Sequence, residues 1–396
     1  MSVEVHAWTG SDLERELPRL ERYFLRWVAH PERREGCGEV SILSTPFEDS
    51  GRATHMQRSI QGHTIQTNAE RTRETSLPLS RHPGWLLALR DGLKHIPYCL
   101  EAREGQTSRG LLTLAFVHSL LFGRFLVSLP YLNTGGVLAD DLAIPNLLID
   151  RAIRLADELI VRYLELRHEQ PIIHPALTAQ MTDKVHMRLA LPPNSQELWN
   201  RLPSKVRNQV RKAQKINLTV EWGNHDLLPE FYDVFSENMR DLGTPVFGKV
   251  FFERILDQFP DYAELTVVRH GRVAVAVALL LHGWGISEVP SASSLRHYRA
   301  SNANMLLYWH LLERTIKRGN HVFDFGRSSK DSNTYRFKKQ WGARPEPAVW
   351  QYYLRHGSIH ELRPENPKYQ RLSRLWQHLP VTLTRWIGPR IVRGIP

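Results

Sequence analysis

The feature that most constrains the fold of this chain is an order of elements that occurs twice. In the first half, three segments of strand length between residues 98 and 129 precede a helical pattern at 145–167. In the second half, strand-like segments between 265 and 291 precede a helical pattern at 302–318, which ends before a glycine. A further strand is predicted after each helix, at 164–167 or near Ile172 in the first half and at Asp324 in the second. Two copies of this unit, about 160 residues apart, predict a mixed α/β protein with two similar domains.

The two copies divide the 396 residues into an N-terminal domain at 1–190, a C-terminal domain at 191–362 and a basic tail at 363–396. Two domains also suit the length, because a single hydrophobic core rarely serves so many residues. Residues 31–76 interrupt the first domain with a polar stretch that is poor in aliphatic side chains. We interpret this stretch as an insertion or a mobile loop.

The formal net charge of +11 predicts an anionic partner, which would be a nucleic acid, a nucleotide-linked substrate or an anionic membrane surface. The two cysteines form no CxxC motif and no HExxH motif occurs, so no metal site is expected. The N-terminal residues lack the apolar core of a signal peptide. No run approaches the roughly 20 apolar residues of a membrane span. We therefore expect a cytoplasmic protein.

The segment at 324–342, DFGRSSKDSNTYRFKKQWG, concentrates cationic and aromatic side chains in what is predicted to be one loop after a buried strand. Such a loop suits the binding of a phosphate or of a polarised acyl oxygen. The alternative is a solvated basic loop. The cationic and aromatic candidates are Arg327, Lys330, Arg336, Lys338, Lys339, Tyr335, Phe337 and Trp341, with Arg344 just beyond.

A second group of cations lies between the two domains, on a helix that is predicted to start at Ser204. Arg207, Arg211 and Lys215 recur every four residues, so they share one helix face. Like charges at this spacing repel, and an anionic ligand would relieve the repulsion. The alternative is a solvated helix face.

A third candidate is the start of the helix near residue 302, where Asn302 and Asn304 stand in the first turn. The backbone amides of a first helical turn attract anions. The alternative is ordinary capping by Ser301 or Asn302.

The tail from residue 366 carries six lysines and arginines and no acidic residue, with tryptophan, leucine and isoleucine between them. A basic amphipathic segment of this kind suits peripheral contact with an anionic membrane. The alternative is a tail that packs back on the two domains.

Most catalytic motifs are missing from the chain. Residues 324–326 spell DFG, the metal-binding triplet of protein kinases, but no HRD, VAIK or Gly-rich loop accompanies it, so a kinase is excluded. The nucleophile-elbow, P-loop and dinucleotide-binding motifs are also absent. Hydrolase, P-loop and Rossmann functions therefore have no support in the sequence.

Acyl transfer fits the 324–342 segment better, since it requires a polarised carbonyl and a nucleophilic amine or hydroxyl. A lysine would polarise the carbonyl. In an extended segment Lys338 and Lys339 point to opposite sides, so only one of them is expected to face the site. Asp324 and Tyr335 would orient the acceptor, and Arg327 would bind phosphate. Asp324 is equally suited to pair with an arginine or to cap the backbone.

Four ordered motifs give the chain a resemblance to a known family. They are LPSKVRNQVRKAQK at 202–215, NANMLLYW at 302–309, FDFGRS at 323–328 and TYRFKKQWGA at 334–343. Together with segments of the first half and the tail, they resemble the FemAB-like transferases, in particular the branch associated with exosortase/PEP-CTERM systems and exopolysaccharide production. The resemblance spans roughly residues 77–396.

The resemblance implies two tandem acyltransferase domains of the GNAT fold. Fem enzymes transfer an amino acid from aminoacyl-tRNA to a cell-wall precursor, and a Phe-Lys pair in their second domain matters for transfer. By motif match this pair is Phe337-Lys338, which favours Lys338 over Lys339. The Gly-rich turn of acetyl-CoA users and the helical arm that binds tRNA are both missing here. The acyl donor therefore stays open between acyl-CoA and aminoacyl-tRNA.

We expect a transferase that acts on an anionic or nucleotide-linked envelope or exopolysaccharide precursor. The expected binding residues are Arg207, Arg211, Lys215, Asn302, Asn304, Arg327, Phe337, Lys339 and Trp341. The second class of function is a non-catalytic GNAT-like binding protein in exopolysaccharide synthesis. Nucleic-acid binding is a third, but no recognised motif accompanies the charge.

Overall fold

The computed structural model describes residues 3–29, 76–119, 122–358 and 367–395. The expected insertion at 31–76 lies outside these residues except for its last position. The strands of the described residues are β1 (Val3–Trp8), β2 (Ile96–Glu104), β3 (Thr107–Ser119), β4 (Gly123–Val127), β5 (Val137–Ala139), β6 (Tyr163–His168), β7 (Ala179–Met181), β8 (Lys184–Ala190), β9 (Leu218–Gly223), β10 (Ala263–His270), β11 (Val273–His282), β12 (Ile286–Ser294), β13 (Val322–Ser329), β14 (Arg344–Pro347) and β15 (Val349–Leu354).

The helices pack on both faces of the sheets that these strands form. They are α1 (Gly10–Ala29), α2 (Trp85–Leu93), α3 (Ile144–Glu158), α4 (Ser195–Arg201), α5 (Ser204–Lys215), α6 (Leu228–Leu242), α7 (Lys249–Gln258), α8 (Ala303–Lys317), α9 (Asn333–Lys339), α10 (Pro367–Gln377) and α11 (Val381–Val392). None of the described helices is long and apolar enough to cross a membrane.

Two mixed sheets confirm the predicted repeat. The first sheet has the order β1-β2-β3-β4-β6-β15-β7, with β5 beside β3, and the second has the order β14-β8-β13-β12-β11-β10-β9. In each sheet one central pair is parallel, β4 with β6 and β12 with β13, while the other neighbours are antiparallel. In each sheet a helix, α3 or α8, connects the parallel pair, as the repeated pattern predicts.

The two sheets exchange strands. Strand β8 precedes the expected boundary at residue 190, yet it pairs with β13 and β14 in the second sheet. Strand β15 follows the second copy in sequence, yet it pairs with β6 and β7 in the first sheet. Each sheet is therefore completed by a strand from the opposite half of the sequence.

The helices enclose three large apolar cores. One face of the first sheet is covered by α3, and one face of the second sheet is covered by α4, α5 and α8. Between the sheets, α1 and α2 pack with α6 and α7 in a shared core that contains Phe24, Trp85, Phe231 and Phe252. This shared core joins the two halves of the protein.

The tail packs back on the domains. The hydroxyl of Ser373 in α10 donates to the carbonyl oxygen of Gly243 at 2.9 Å, and Arg385 in α11 donates to Ser236 in α6 at 2.7 Å. The Tyr131 hydroxyl of the first half donates to the carbonyl oxygen of Arg393 at 2.9 Å. One side of each tail helix is thereby fixed against the protein.

Candidate functional site

The parallel strands β12 and β13 form a gap in the second sheet. They pair only over Ile286–Glu288 and Val322–Asp324, after which each strand pairs only with its outer neighbour. In the first sheet the corresponding space after β4 is occupied, because the following loop returns to β6 and the Gly135 amide donates to the Arg167 carbonyl oxygen at 2.9 Å. The second sheet therefore offers the place for a substrate.

The segment predicted as one loop is in fact a strand and a helix. Strand β13 continues to Ser329, and α9 starts after Ser332, whose hydroxyl accepts from the Tyr335 amide at 3.1 Å and caps the helix. Lys338 and Lys339 are therefore adjacent on a helix rather than alternating along a strand. The structure places Lys338 inside the protein and Lys339 in solvent.

The pairing of β13 with β8 shifts register between Asp324 and Arg327, which forms a bulge in β13. The Lys338 ammonium group lies at this bulge. Its Nζ donates to the carbonyl oxygens of Gly326 and Arg327 at 3.0 and 2.9 Å, and the side chain is 8% exposed. Burial lowers the pKa of Lys338 to about 8, although the nearby Asp324 carboxylate opposes the shift. An ammonium has three donors, so one N–H remains for a ligand.

Gly326 makes this approach possible. Its backbone has φ of +77°, a left-handed conformation that favours glycine. A β-carbon at this position would stand 3.1 Å from the Asn133 amide nitrogen and 3.9 Å from Lys338 Nζ. The missing side chain leaves room in which a residue of the first half and one of the second half converge.

Asp324 is held within an ion-pair network. It accepts from Arg188 Nε at 3.0 Å and from the Gly326 amide at 2.6 Å, so it pairs with Arg188 rather than with Arg327. Burial would raise the pKa of Asp324, but Arg188 holds it well below its ordinary value. Arg188 also contacts Glu169 and Glu346. The Asp324 carboxylate therefore stabilises the backbone of β13 at Gly326 and pairs with Arg188, rather than pointing at a substrate.

Sequence reasoning missed Arg188, although a signal exists. In β8, buried Val185, Met187 and Leu189 alternate with His186 and Arg188, which places both of the latter on the opposite face of the strand. A charged residue at that position in a half-buried strand indicates an internal partner. The partner itself is 136 residues away and could not be identified from the pattern.

Sequence reasoning also missed Glu288, the last residue of β12 to pair with β13. Its carboxylate accepts from the amide and the hydroxyl of Ser80, both at 3.0 Å, and Ser80 in turn contacts the Thr134 hydroxyl at 2.6 Å. Burial and the nearby Asp324 raise the pKa of Glu288 to about 7. These bonds fix the first half of the chain against the end of the gap where β12 and β13 are still paired.

Arg327 lies where the two sheets face each other. Its guanidinium carbon is 3.4 Å from the ring centroid of Trp350 in β15, and its Nε donates to the side-chain Oδ1 of Asn133 at 3.3 Å. Burial and the nearby Arg167 guanidinium lower the pKa of Arg327 to about 9. Both neighbours of Arg327 come from the first sheet and its loops.

The three aromatic side chains proposed to line the site have different positions. Trp341 is 1% exposed and belongs to the core behind the second sheet, so it does not wall a ligand site. Phe337 is half-buried and packs edge-on against Tyr308 at 4.9 Å. Tyr335 is half-buried with Lys339 Nζ 5.9 Å from its ring. Phe337 and Tyr335 thus attach α9 to the protein.

The start of α8 borders a cavity of about 290 Å³. Asn302 and Asn304 line it, together with Tyr298 and Arg299. Asn302 has φ of +57°, and the Ala303 amide donates to the Ser301 hydroxyl at 3.2 Å, so ordinary capping uses one amide of the first turn. The cavity and Arg299 still provide a place for an anionic group at this helix end.

The helix predicted from Ser204 is confirmed as α5, with Val206 and Val210 buried. It packs against α8 and β9, and β9 forms the opposite edge of the sheet from β14. Arg207 is half-buried, whereas Arg211 and Lys215 are exposed and Arg211 lies 5.3 Å from the Trp199 ring. No hydrogen bond or ion pair of the described structure links these three cations to the Lys338 region.

The described residues contain no group of three or more His, Cys, Asp or Glu side chains that could hold a metal ion.

Comparisons with known proteins agree with this geometry. Residues 200–339 match the family model of the acetyltransferase (GNAT) domain. No curated protein matches the chain. The crystal structure of FemX is similar to 76% of this chain and 95% of its own, with a TM-score of 0.52 and 16% sequence identity. The similarity in fold to FemX therefore covers more of the chain than residues 200–339, which match the family model.

Two further solved structures are similar at lower TM-scores. L-PGS from Bacillus licheniformis aligns over 68% of this chain and 87% of its own, with a TM-score of 0.46 and 12% identity. A tandem GNAT protein from the clavulanic acid biosynthesis pathway aligns over 90% of this chain and 100% of its own, with a TM-score of 0.48 and 13% identity.

The parallel pair in each sheet, the helix that connects it and the family match together identify the fold. The chain is a mixed α/β protein that consists of two tandem GNAT-like domains, the second of which carries the sequence match to the GNAT acetyltransferase domain.

Proposed function

We propose that the protein is an acyl or aminoacyl transferase of the FemAB type that acts on a cell-envelope or exopolysaccharide precursor. The match to the acetyltransferase domain and the similarity in fold to FemX support transfer of an acyl group. The observation that carries the proposal is Lys338, a buried ammonium group that two backbone carbonyls hold beside the gap of the second sheet.

Lys338 would act on the carbonyl of the acyl donor. An amine or hydroxyl of the acceptor attacks the acyl carbon, the carbonyl oxygen becomes an oxyanion, and the remaining N–H of Lys338 donates to that oxygen. The intermediate then expels a thiolate or a ribose hydroxyl, while the proton of the nucleophile passes to solvent or to the leaving group. A pKa of about 8 keeps most Lys338 side chains protonated at pH 7.

The cavity at the start of α8 would receive the donor. Both acyl-CoA and aminoacyl-tRNA carry phosphates, and Arg299 with the first-turn amides of α8 offers charge and donors for them. Met305 lines this cavity and accepts a contact from Gln340, the residue that follows α9. Met305 thus links the lining of the cavity to the end of the helix that bears Lys338.

The test is a transfer assay with purified protein. Acyl-CoAs or aminoacyl-tRNAs are incubated with nucleotide sugars or lipid-linked glycans, and mass spectrometry detects an acceptor that has gained the acyl mass. We expect Lys338→Met to lower the rate about 100-fold or more, whereas Lys339→Met, its exposed neighbour on the same helix, stays within about threefold of wild type. Equal rates for the two variants would refute the role of Lys338.

A non-catalytic binding protein is the second candidate. It is favoured by Asp324, because this carboxylate is only 1% exposed and both of its oxygens already accept hydrogen bonds within the protein, which does not suit a role in orienting an acceptor. Such a protein would bind an anionic precursor in the same gap without changing it. Acceptor binding in calorimetry, combined with no product from any donor, would support this candidate over a transferase.

We propose further that the tail rests on an anionic membrane. The sides of α10 and α11 that face away from α6 expose Leu372, Leu375 and Trp386 at 60%, 66% and 65%. The exposed arginines of the tail are Arg371, Arg374 and Arg390 in these helices and Arg393 just after α11. Apolar side chains among cations, with no acidic residue after Glu365, complement a surface of anionic lipid.

Co-sedimentation with vesicles tests this placement. We expect binding to vesicles that contain phosphatidylglycerol, weaker binding to pure phosphatidylcholine, and about a tenfold loss in the variant that combines Leu372→Ser, Leu375→Ser and Trp386→Ser. A matched control changes Leu142 and Ile173, exposed at 67% and 73% outside the tail, to serine. Equal binding of both variants would contradict the proposal.

A further inference from the structure

Two cations share one face of the second sheet beside Lys338. In the antiparallel pair of β13 with β8, Arg327 lies opposite His186, and Ser329 lies opposite Lys184. Residues directly opposite each other point to the same side of a sheet, and so do residues two positions apart on one strand. Arg327 and Lys184 therefore point to the same side, and contact with Trp350 shows that this side faces the first sheet.

These cations have no carboxylate partner. Within the described part of the chain, neither Arg327 nor Lys184 nor Lys338 forms an ion pair with an aspartate or glutamate. Their neighbour Arg167 differs, since its Nε is 2.6 Å from Glu165 Oε1. Burial, followed by the charge of Arg327, lowers the pKa of Lys184. Carboxylates such as Glu165 and Asp183 act on Arg327 and Lys184 only through space. Cations that repel each other in a partly buried place, without a carboxylate in direct contact, are costly to the protein alone.

Asn133 brings neutral donors to the same place. It lies in the loop that fills the gap of the first sheet, and its side-chain oxygen Oδ1 accepts from Arg327 Nε. That bond directs its amide nitrogen toward the space above Gly326, 3.1 Å from where a β-carbon would stand. Lys338 Nζ lies 3.9 Å from the same point. The first domain thus supplies a side chain to the candidate site of the second.

We propose that Arg327, Lys184 and Asn133 form a binding subsite for a phosphate or diphosphate group of the acceptor, next to Lys338. A phosphate oxygen can accept from a guanidinium, an ammonium and an amide at once, which matches the donors present. The subsite would hold the anion between the two domains while the nucleophile of the acceptor reaches the acyl carbon near Lys338. This inference deepens the proposed function and rests on it for the identity of the acceptor.

The test measures anion binding, independently of transfer. Calorimetry with inorganic pyrophosphate probes the shared chemistry, and separate titrations with UDP-glucose and with a polyprenyl diphosphate in detergent distinguish a soluble from a lipid-linked source. We expect Arg327→Gln and Lys184→Gln each to raise the dissociation constant for pyrophosphate about tenfold. Lys317→Gln, which removes one exposed charge at the end of α8, is expected to change it by less than about twofold.

Two outcomes would overturn the subsite. In the first, pyrophosphate binds Arg327→Gln and Lys184→Gln as it binds wild type. In the second, Arg299→Gln abolishes binding while both of these variants retain it, which places the anion in the cavity at α8. Thermal melting of each variant verifies folding, and Lys184, close to the start of its strand, provides a variant that does not disturb the Trp350 contact.

The subsite and the transferase can fail separately. If Lys338→Met abolishes transfer while Arg327→Gln and Lys184→Gln leave pyrophosphate binding unchanged, the subsite is wrong and the transferase stands. If no donor yields a product while both variants lose pyrophosphate binding, the subsite stands and transfer is wrong.

Discussion

The buried ammonium group of Lys338 should make the stability of the protein depend on pH in a way that one substitution removes. Lysine has a pKa of 10.5 in the unfolded chain, and burial lowers the pKa of Lys338 to about 8. Between these two values the unfolded chain binds more protons than the folded protein, so stability rises as pH increases. This contribution is most unfavourable below pH 8 and disappears above pH 10.5.

The magnitude follows from the two pKa values. At pH 7 the lowered pKa of Lys338 costs about 3 kcal/mol of stability, since a tenfold change in a proton-binding constant corresponds to about 1.4 kcal/mol. The cost falls by about 1.3 kcal/mol between pH 7 and 9 and by about 2.5 kcal/mol between pH 7 and 10. Lys338→Met lacks the titrating group, so the difference in unfolding free energy between wild type and variant should grow by these amounts in favour of wild type.

Urea unfolding of wild type and Lys338→Met at pH 7, 8, 9 and 10 measures this difference. Other groups titrate alike in both proteins and cancel. Lys339→Met is the matched control, since Lys339 is exposed on the same helix and its removal should give a difference that stays flat with pH. A flat difference for Lys338→Met as well would mean that Lys338 titrates alike in the folded and unfolded protein, and the burial argument would be refuted.

Three substitutions test other parts of the site by urea unfolding and transfer assays. Gly326→Ala should cost about 1–2 kcal/mol, because φ is +77° and the new methyl group would crowd the Asn133 amide; an unchanged midpoint and rate would contradict this. Arg188→Met should cost about 3–5 kcal/mol by leaving buried Asp324 unpaired, and a cost below about 1 kcal/mol would show that the network is dispensable. Trp341→Ala should cost about 3–5 kcal/mol as a core residue, whereas weaker ligand binding without lost stability would restore it as a ligand wall.

The order of elements could be predicted because each element is encoded locally. The helix at 85–93, the helix before Gly319 and the central strands follow from apolar periodicity and capping residues. The helix predicted at 145–167 was too long, since α3 ends at Glu158 and β6 begins at Tyr163. Apolar side chains continue across both elements, so periodicity alone did not mark the turn at Ile160, which has φ of +51°.

The surroundings of the candidate site could not be predicted in the same way. The preference for Lys338 over Lys339 came from a motif, while the alternation argument assumed an extended segment where the structure has a helix. Trp341 was expected at a ligand because it stands among cations in sequence, yet its ring turns into the core. The partners of Asp324 and Arg327 are Arg188 and Asn133, which are 136 and 194 residues away, so only the tertiary fold brings them together.

The exchange of strands between the sheets has a consequence for how the protein is made. The outer edge of β6 has no partner until β15 is synthesised, roughly 180 residues later, which takes about 10 to 40 seconds at the usual rates of translation. During that time the nascent first domain presents an unpaired strand edge, a template for wrong pairing with other chains. The polar sequence Glu165-Leu166-Arg167-His168 in that edge limits the hazard, because buried charges pair poorly with a foreign strand. The last of the described strands thus closes the first sheet, just after β14 has completed the edge of the second, so we expect both domains to be completed late in synthesis.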